Sequence, residues 1–250
     1  MVKKMDLEQQ FEKEFTVSQY ECDLNNRMKA SAIMRQVQQV STDHCNAVGI
    51  TNQTYEQTHT AFLLAKISLE VNREVKVGDR LKLTTTPSYP VRAVYHRFTT
   101  LSFADTGEEA ASMDSRWILV DINTRRILRK PPEEFHFPFL APVGRTHDLT
   151  ITKADTLYPV GEECIRYSKI DQNRHLNNTE YADLICDRFP TSVWENGFVR
   201  KLVIDYRHEV KLEEALALYA SQPMEQSLSW PCYWKGMVGE TTCFEASVCF

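Results

Sequence analysis

Two short strings, Asp23-Leu24-Asn25-Asn26-Arg27 and Asp171-Gln172-Asn173-Arg174-His175, share the pattern D-x-N-x-(basic) and stand 148 residues apart. Each comes just before a stretch with helical periodicity. Farther on, Lys66-Ile67-Ser68-Leu69-Glu70-Val71-Asn72-Arg73-Glu74-Val75-Lys76 aligns with Lys201-Leu202-Val203-Ile204-Asp205-Tyr206-Arg207-His208-Glu209-Val210-Lys211 at an offset of 135. Two motifs repeated in the same order indicate an internal duplication. The 13-residue difference between the offsets gives the first copy the longer connection from helix to strand.

Working outward, the periodicity in each copy changes from two to 3.6 and back. Phe15–Glu21 reads as a strand and Ala30–Val48 as a helix, with Ile33, Met34, Val37 and Val40 on one face. Ile67, Leu69 and Val71 alternate with polar residues, and Leu81, Leu83 and Thr85 resume the alternation after the Gly78-Asp79 turn. Tyr95–Phe103 and Ala111–Asp121 continue it, with Asn123-Thr124 as a hairpin tip. Pro131, Pro132, Pro138 and Pro142 crowd one short segment, too dense for helix or sheet. Beyond them Cys164–Ile170 reads as a strand and Thr179–Phe189 as a helix. Phe198–Tyr206, Ala215–Ala220, Leu228–Val238 and Thr241–Phe250 then read as strands. The expected fold is α+β, a helix packed against an antiparallel sheet in each of two halves. The expected division is residues 1–135, a linker at 136–157, and residues 158–250.

Composition narrows the function. The 250 residues include 42% hydrophobic and 25% charged, ordinary globular values. A net charge of −5 argues against a general nucleic-acid binder. Apolar runs such as Ala61–Ala65 and Trp117–Val120 are far too short to span a membrane. Met5–Glu14 is polar and acidic, so no secretory leader is expected. The seven cysteines form no CxxC pair, which fits a reducing, cytoplasmic setting. There is no GxGxxG, P-loop or GxSxG string. His44, Cys45 and His59, or His175 with His208, lack regular metal-ligand spacing, so no metal is expected.

Chemistry concentrates in the second copy. Asp171, Asn173 and His175 lie in a loop running into a helix, and Glu209 follows in the aligned strand segment. Histidine titrates near neutral pH and a carboxylate can serve as base or orienter. Asn177-Asn178-Thr179-Glu180 suggests an Asn cap with Glu at the third helical position, leaving N–H groups for an oxyanion. The first copy has Arg27 where the second has His175, and arginine cannot give up its proton. Only the second copy is therefore expected to be catalytic, with the first available for substrate binding.

The string Asp171-x-Asn173-x-His175-x-Asn177-Asn178-x-x-Tyr181 resembles the signature of the acyl-[acyl-carrier-protein] thioesterases, the plant plastid enzymes and their bacterial relatives. Asp205-Tyr206-Arg207-His208-Glu209 resembles their second active-site segment. Arg125-Arg126 with Pro132-Glu133-Glu134 resembles the end of their first domain. The likeness runs from about Phe11 to the C-terminus. It implies a tandem double hotdog, with the acyl chain held by the first domain and catalysis by Asp171, Asn173, His175 and Glu209. Plant members often have a Cys directly after that Glu; Val210 stands here, which excludes a Cys–His mechanism at this position.

The resemblance implies hydrolysis of fatty acyl-carrier-protein thioesters, with no cofactor. Water attack assisted by Glu209 or Asp171 and direct attack by a carboxylate both remain open, as does an acyl-CoA thioesterase or a non-catalytic acyl-binding protein. Arg125, Arg126, Arg129 and Lys130 place four cations within six residues, a candidate dock for an acidic carrier protein. No nucleic-acid partner is expected, and pairing into a homodimer rests on analogy.

Overall fold

The computed structural model describes residues 9–135, 142–224 and 228–250. Ten strands form one antiparallel sheet: β1 (Phe11–Thr16), β2 (Thr60–Val71), β3 (Arg80–Val91), β4 (Val94–Phe103), β5 (Glu109–Asp121), β6 (Tyr158–Cys164), β7 (Lys201–Tyr206), β8 (Ala215–Ala220), β9 (Cys232–Val238) and β10 (Thr241–Cys249). Four helices accompany it: α1 (Ala30–Ala47), α2 (Asn52–Thr58), α3 (Glu180–Cys186) and α4 (Thr191–Asn196).

The strand order is β1-β3-β4-β5-β2-β7-β10-β9-β8-β6, a palindrome under the duplication. Ser68 pairs with Val203, its own counterpart at the 135 offset, so an internal twofold passes through the β2–β7 seam. On either side of that pair Lys66 faces Asp205 and Glu70 faces Lys201, whose ammonium lies 2.8 Å from the Glu70 carboxylate. One hydrophobic core runs through both halves, from Ile33, Val37 and Leu69 to Ile185, Ile204 and Phe244. The chain is thus a double hotdog, two helix-on-sheet units joined edge to edge.

The duplication holds at the level of single hydrogen bonds. Asp23 N–H donates to Arg27 O at 2.8 Å, and Asp171 N–H to His175 O at 3.0 Å. Met28 N–H reaches Val75 O and Leu176 N–H reaches Val210 O, both at 2.7 Å. Asn26 and Arg174 take the same left-handed backbone, at φ 61° and 67°.

Several boundaries differ from expectation. The first strand is Phe11–Thr16, and Gln19–Glu21 is a 3₁₀ turn. The strand expected at Cys164–Ile170 ends at Cys164, and Tyr167–Lys169 is again 3₁₀. These paired turns reverse the chain into the D-x-N loops. The helix expected over Thr179–Phe189 stops at Cys186, because Pro190 disfavours helical backbone before it. Helix α2 was not foreseen; its start is set by the Thr51 N–H bonded to the Thr54 hydroxyl at 3.2 Å. The hairpin tip stands as expected, with Asp121 Oδ1 accepting Asn123 N–H at 2.9 Å and Thr124 N–H at 2.7 Å.

Of the proline-rich segment, Pro138 lies outside the described residues. Residues 142–153 cross the convex face of the sheet. Arg145 reaches Glu109 at 2.8 Å and lies 5.0 Å over the Phe98 ring. His147 is buried there: its Nδ1 meets Ser68 O at 3.0 Å and its Nε2 meets the Ser112 hydroxyl at 3.1 Å. Lys153 then pairs with Glu245 of β10 at 2.9 Å, so the segment straps one half to the other.

Candidate active site

The Asp171–His175 loop is shaped by its own side chains. The Asp171 carboxylate accepts Asn173 N–H at 2.8 Å, and the left-handed Arg174 brings His175 round to close the turn. A bridge between His175 and Lys211 then lays the loop beside the end of β7. This is how a residue 34 positions away enters the site: Glu209 Oε1 stands 4.0 Å from His175 Nε2. On the other edge of the ring, Asp171 Oδ1 is 3.9 Å from Nδ1. The imidazole lies between two carboxylates, neither at hydrogen-bond length, with room for a bridging water or a substrate-induced closure.

Exposure divides these groups. The side chains of His175 and Asp171 are each 14% accessible, whereas Glu209 is 50% accessible. Asn173 is exposed, its amide 3.5 Å from Asp171 Oδ2. Below the loop, Tyr206 donates its hydroxyl to Asn178 O at 2.8 Å and packs edge-on against Tyr181, 5.2 Å between ring centres. Burial pushes both phenols well above their ordinary pKa, so they remain neutral supports.

The expected cap is only half formed. Asn177 Oδ1 accepts the Thr179 N–H at 2.9 Å and its hydroxyl at 2.7 Å. Glu180, however, turns outward to Arg35 of α1 at 2.7 Å instead of closing a capping box. The Glu180 N–H is bonded to Asn177 O at 2.9 Å. The N–H groups of Thr179 and Glu180 are therefore spent within the turn and are not free oxyanion donors.

Beside Asn178 and Thr179 opens a narrow slot walled by Met34, Val37, Leu64, Met113 and Trp117. Its floor side belongs to the first half, on α1, β2 and β5. One strand further across the same concave face, Arg97 pairs in register with Ser115 of the slot. Arg97 is buried with no carboxylate partner among the described residues: it meets His44 Nδ1 at 3.1 Å, Thr85 Oγ1 at 3.2 Å and Cys45 Sγ at 3.7 Å. Burial lowers its pKa, while the last turn of α1, carrying His44 and Cys45, presents the negative end of the helix dipole to it. Sequence reasoning missed Arg97; the available signal was a cation in phase with inward-facing Tyr95, Thr99 and Leu101.

The first copy's loop has a different occupation. Arg27 Nε pairs with Glu74 at 3.0 Å, and its Nη1 donates to Trp194 O at 3.0 Å and to Gly197 O. Asn25 Nδ2 also donates to Trp194 O, at 2.9 Å. The counterpart of the catalytic loop thus braces the chain between α4 and β7. Arg125, Arg126, Arg129 and Lys130 are all exposed on the hairpin arm after β5, without ion pairs among the described residues.

Residues 8–137 match the acyl-ACP thioesterase N-terminal domain family, and residues 153–243 match the C-terminal domain family. A chloroplastic acyl-[acyl-carrier-protein] hydrolase of Cuphea viscosissima is 26% identical over 87% of this chain and 57% of its own length. A chloroplastic palmitoyl-acyl carrier protein thioesterase of Cuphea hookeriana is likewise 26% identical, over 85% and 55%. The chain thus spans little more than half the length of these curated relatives. An acyl-ACP thioesterase structure from Bacteroides thetaiotaomicron superposes with a TM-score of 0.81 at 17% identity, covering 98% of this chain and 99% of that one. The 12:0-ACP thioesterase from Umbellularia californica superposes at 0.76 and 19%, covering 96% and 92%. With both domain families matched over most of its length, the chain belongs to the acyl-ACP thioesterase family.

Proposed function

We propose that this protein hydrolyses fatty acyl-carrier-protein thioesters, releasing a free fatty acid and the carrier's thiol. The observation that carries this reading is the placement of His175 between Asp171 and Glu209, in the loop that runs on to Asn178 and Thr179 at the mouth of an apolar slot. A water held in that gap would attack the thioester carbonyl while Glu209 or Asp171 takes its proton. The Asn173 amide would orient the carbonyl and steady its developing charge. As the C–S bond breaks, that proton is relayed from the carboxylic acid through His175 to the departing sulfur, restoring the carboxylate. The acyl tail would enter along the first-half slot, which at about 10 Å³ must widen to admit it; on this reading residues 1–135 serve chain binding, 136–157 connect, and 158–250 carry the chemistry. Free cysteines throughout suit a cytoplasmic enzyme of fatty acid synthesis.

The exposed arm of Arg125, Arg126, Arg129 and Lys130 would steer the acidic carrier to this mouth. The deciding experiment is thiol release from acyl-carrier-protein and acyl-CoA substrates over several chain lengths, with His175→Ala in parallel. Fast release from the carrier alone supports the reading. Equal release from CoA removes the carrier assignment, and no release from either removes hydrolysis.

A further inference from the structure

A second cavity, of about 300 Å³, lies where the internal twofold would carry the acyl slot. Three lining residues correspond at the 148 offset. Asn178, Gln38 and Ser41 line the slot; their counterparts Ala30, Cys186 and Phe189 line the cavity. In the slot, Asn178 and Thr179, between the catalytic loop and α3 of the second half, meet α1 of the first. In the cavity, the Asp23–Arg27 loop of the first half meets α3 and α4 of the second. The volume is at the lower end of ligand-sized pockets, about 300–1,000 Å³. It equals roughly ten waters of liquid volume, room for a medium-length hydrocarbon tail.

The walls are apolar: Ile33, Phe189, Trp194 and Phe198. The charges at the rim are mostly committed. Arg27 is tied to Glu74 and to two carbonyls, as described above. Asp23 Oδ1 accepts the N–H groups of Asn25 and Arg27 at 2.8 and 2.9 Å. Asp183 pairs with Arg35 at 2.9 Å. Burial, and then the neighbouring Asp183, raise the Asp187 pKa. Lys29 is a lining cation with no ion pair among the described residues, and Asp187 a lining carboxylate likewise without one. The counterpart of Lys29 at the 148 offset is the neutral Asn177.

We propose that this cavity is a second, non-catalytic site for a medium-chain fatty acid, with the tail against Phe189 and Trp194 and the carboxylate on Lys29. The assignment of an acyl tail rests on the reading of its twofold mate as the acyl slot. Occupation would insert a ligand beside the Trp194–Gly197 chain that Arg27 braces, placing the reaction's own product between the two halves.

Tryptophans report the two sites separately, since Trp117 lines the slot and Trp194 the cavity. The probe is ω-bromodecanoate, whose bromine quenches indole on contact. Saturable quenching should persist in Trp117→Phe and fall sharply in Trp194→Phe. Adding Lys29→Ala to Trp117→Phe should weaken binding at least threefold, and ω-bromodecanol should bind the parent correspondingly less well. A second measurement needs no variant: decanoate bearing a terminal diazirine, photolysed on the unmodified chain, should label peptides containing Phe189 or Trp194. Quenching confined to Trp117, or labelling confined to the slot, overturns the site. Indifference to Lys29→Ala or to loss of the carboxylate overturns the ligand class. Because both assays read binding, labelling at Trp194 in a chain that releases no thiol would keep this site and defeat the hydrolase reading.

Discussion

At the residue scale the arrangement around His175 makes the two carboxylates experimentally separable. Asp171 is tied into its own loop through the Asn173 N–H, whereas Glu209 is half exposed and unconstrained. General acid–base groups contribute about 10²–10⁴-fold. His175→Ala should therefore lower kcat by that range. Glu209→Gln should lower kcat with little change in melting temperature, while Asp171→Ala should lower both, because the loop depends on the acceptor oxygen of that side chain. Paired turnover and thermal melts would test this, and a fall in melting temperature confined to Glu209→Gln would reverse the assignment. Arg97 makes a different kind of point. Its guanidinium is buried among neutral partners, so removing one partner is worse than removing the cation. Thr85→Val should destabilise by about 1–3 kcal/mol, and Arg97→Met should cost less than Thr85→Val does. Denaturant melts of the two variants decide the order.

At the scale of elements, the Phe244 ring of β10 lies directly over Gly236 of β9. A Cβ on Gly236 would fall 2.0 Å from the Phe244 ring, which is itself fully buried and stacked edge-on to Tyr181 at 5.1 Å. Gly236→Ala should cost about 1–3 kcal/mol or more through overpacking. Combining it with Phe244→Leu should cost less than the two changes summed, measured as a double-mutant cycle. The strap over the sheet makes a pH-dependent contribution. Burial lowers the pKa of His147 below its usual 6.5. The folded state thus binds fewer protons than the unfolded one, and this stabilisation is complete above about pH 6.5 and is lost as pH falls through the folded value. Asp114, pushed up to about 6 by burial, acts in the opposite sense, favouring the fold as pH falls. The measurement is consequently a difference: melting temperatures of the parent should drop more between pH 7.5 and 5.5 than those of His147→Gln, and parallel curves would refute it.

Elements also show what the sequence made legible. Alternation marked most strands because each has one face on a core, and β8 was read to its ends; β6, with no buried residue, was missed but for Cys164. The D-x-N loops were legible because Asp and Asn write their turn locally. Helix α2, the Arg97 cluster, the slot and the strap were not. Each depends on which distant strand lies alongside, as when Arg97 comes beside Ser115, and no local period encodes that neighbour. The short α3 was overextended for a different reason: the apolar face continues to Phe189, but Pro190 prevails over it.

For the whole molecule, the continuous sheet and shared core mean that neither half has a boundary at which to melt alone. Thermal unfolding should be a single transition, with calorimetric and van't Hoff enthalpies in agreement. Two resolved transitions would show that the β2–β7 seam and the strap couple the halves only weakly. The bracing of Arg27 onto Trp194 and Gly197 has a further consequence. In an assembly of identical subunits, any replacement appears at both equivalent positions, so a reactive centre and a structural rivet cannot occupy the same address. Joining the copies in one polypeptide lifts that constraint: one address keeps an imidazole while the other becomes a rivet. Restoring His at position 27 would therefore not recreate a second reactive centre, because Glu74 and the Trp194 and Gly197 carbonyls there are spaced to hold a guanidinium.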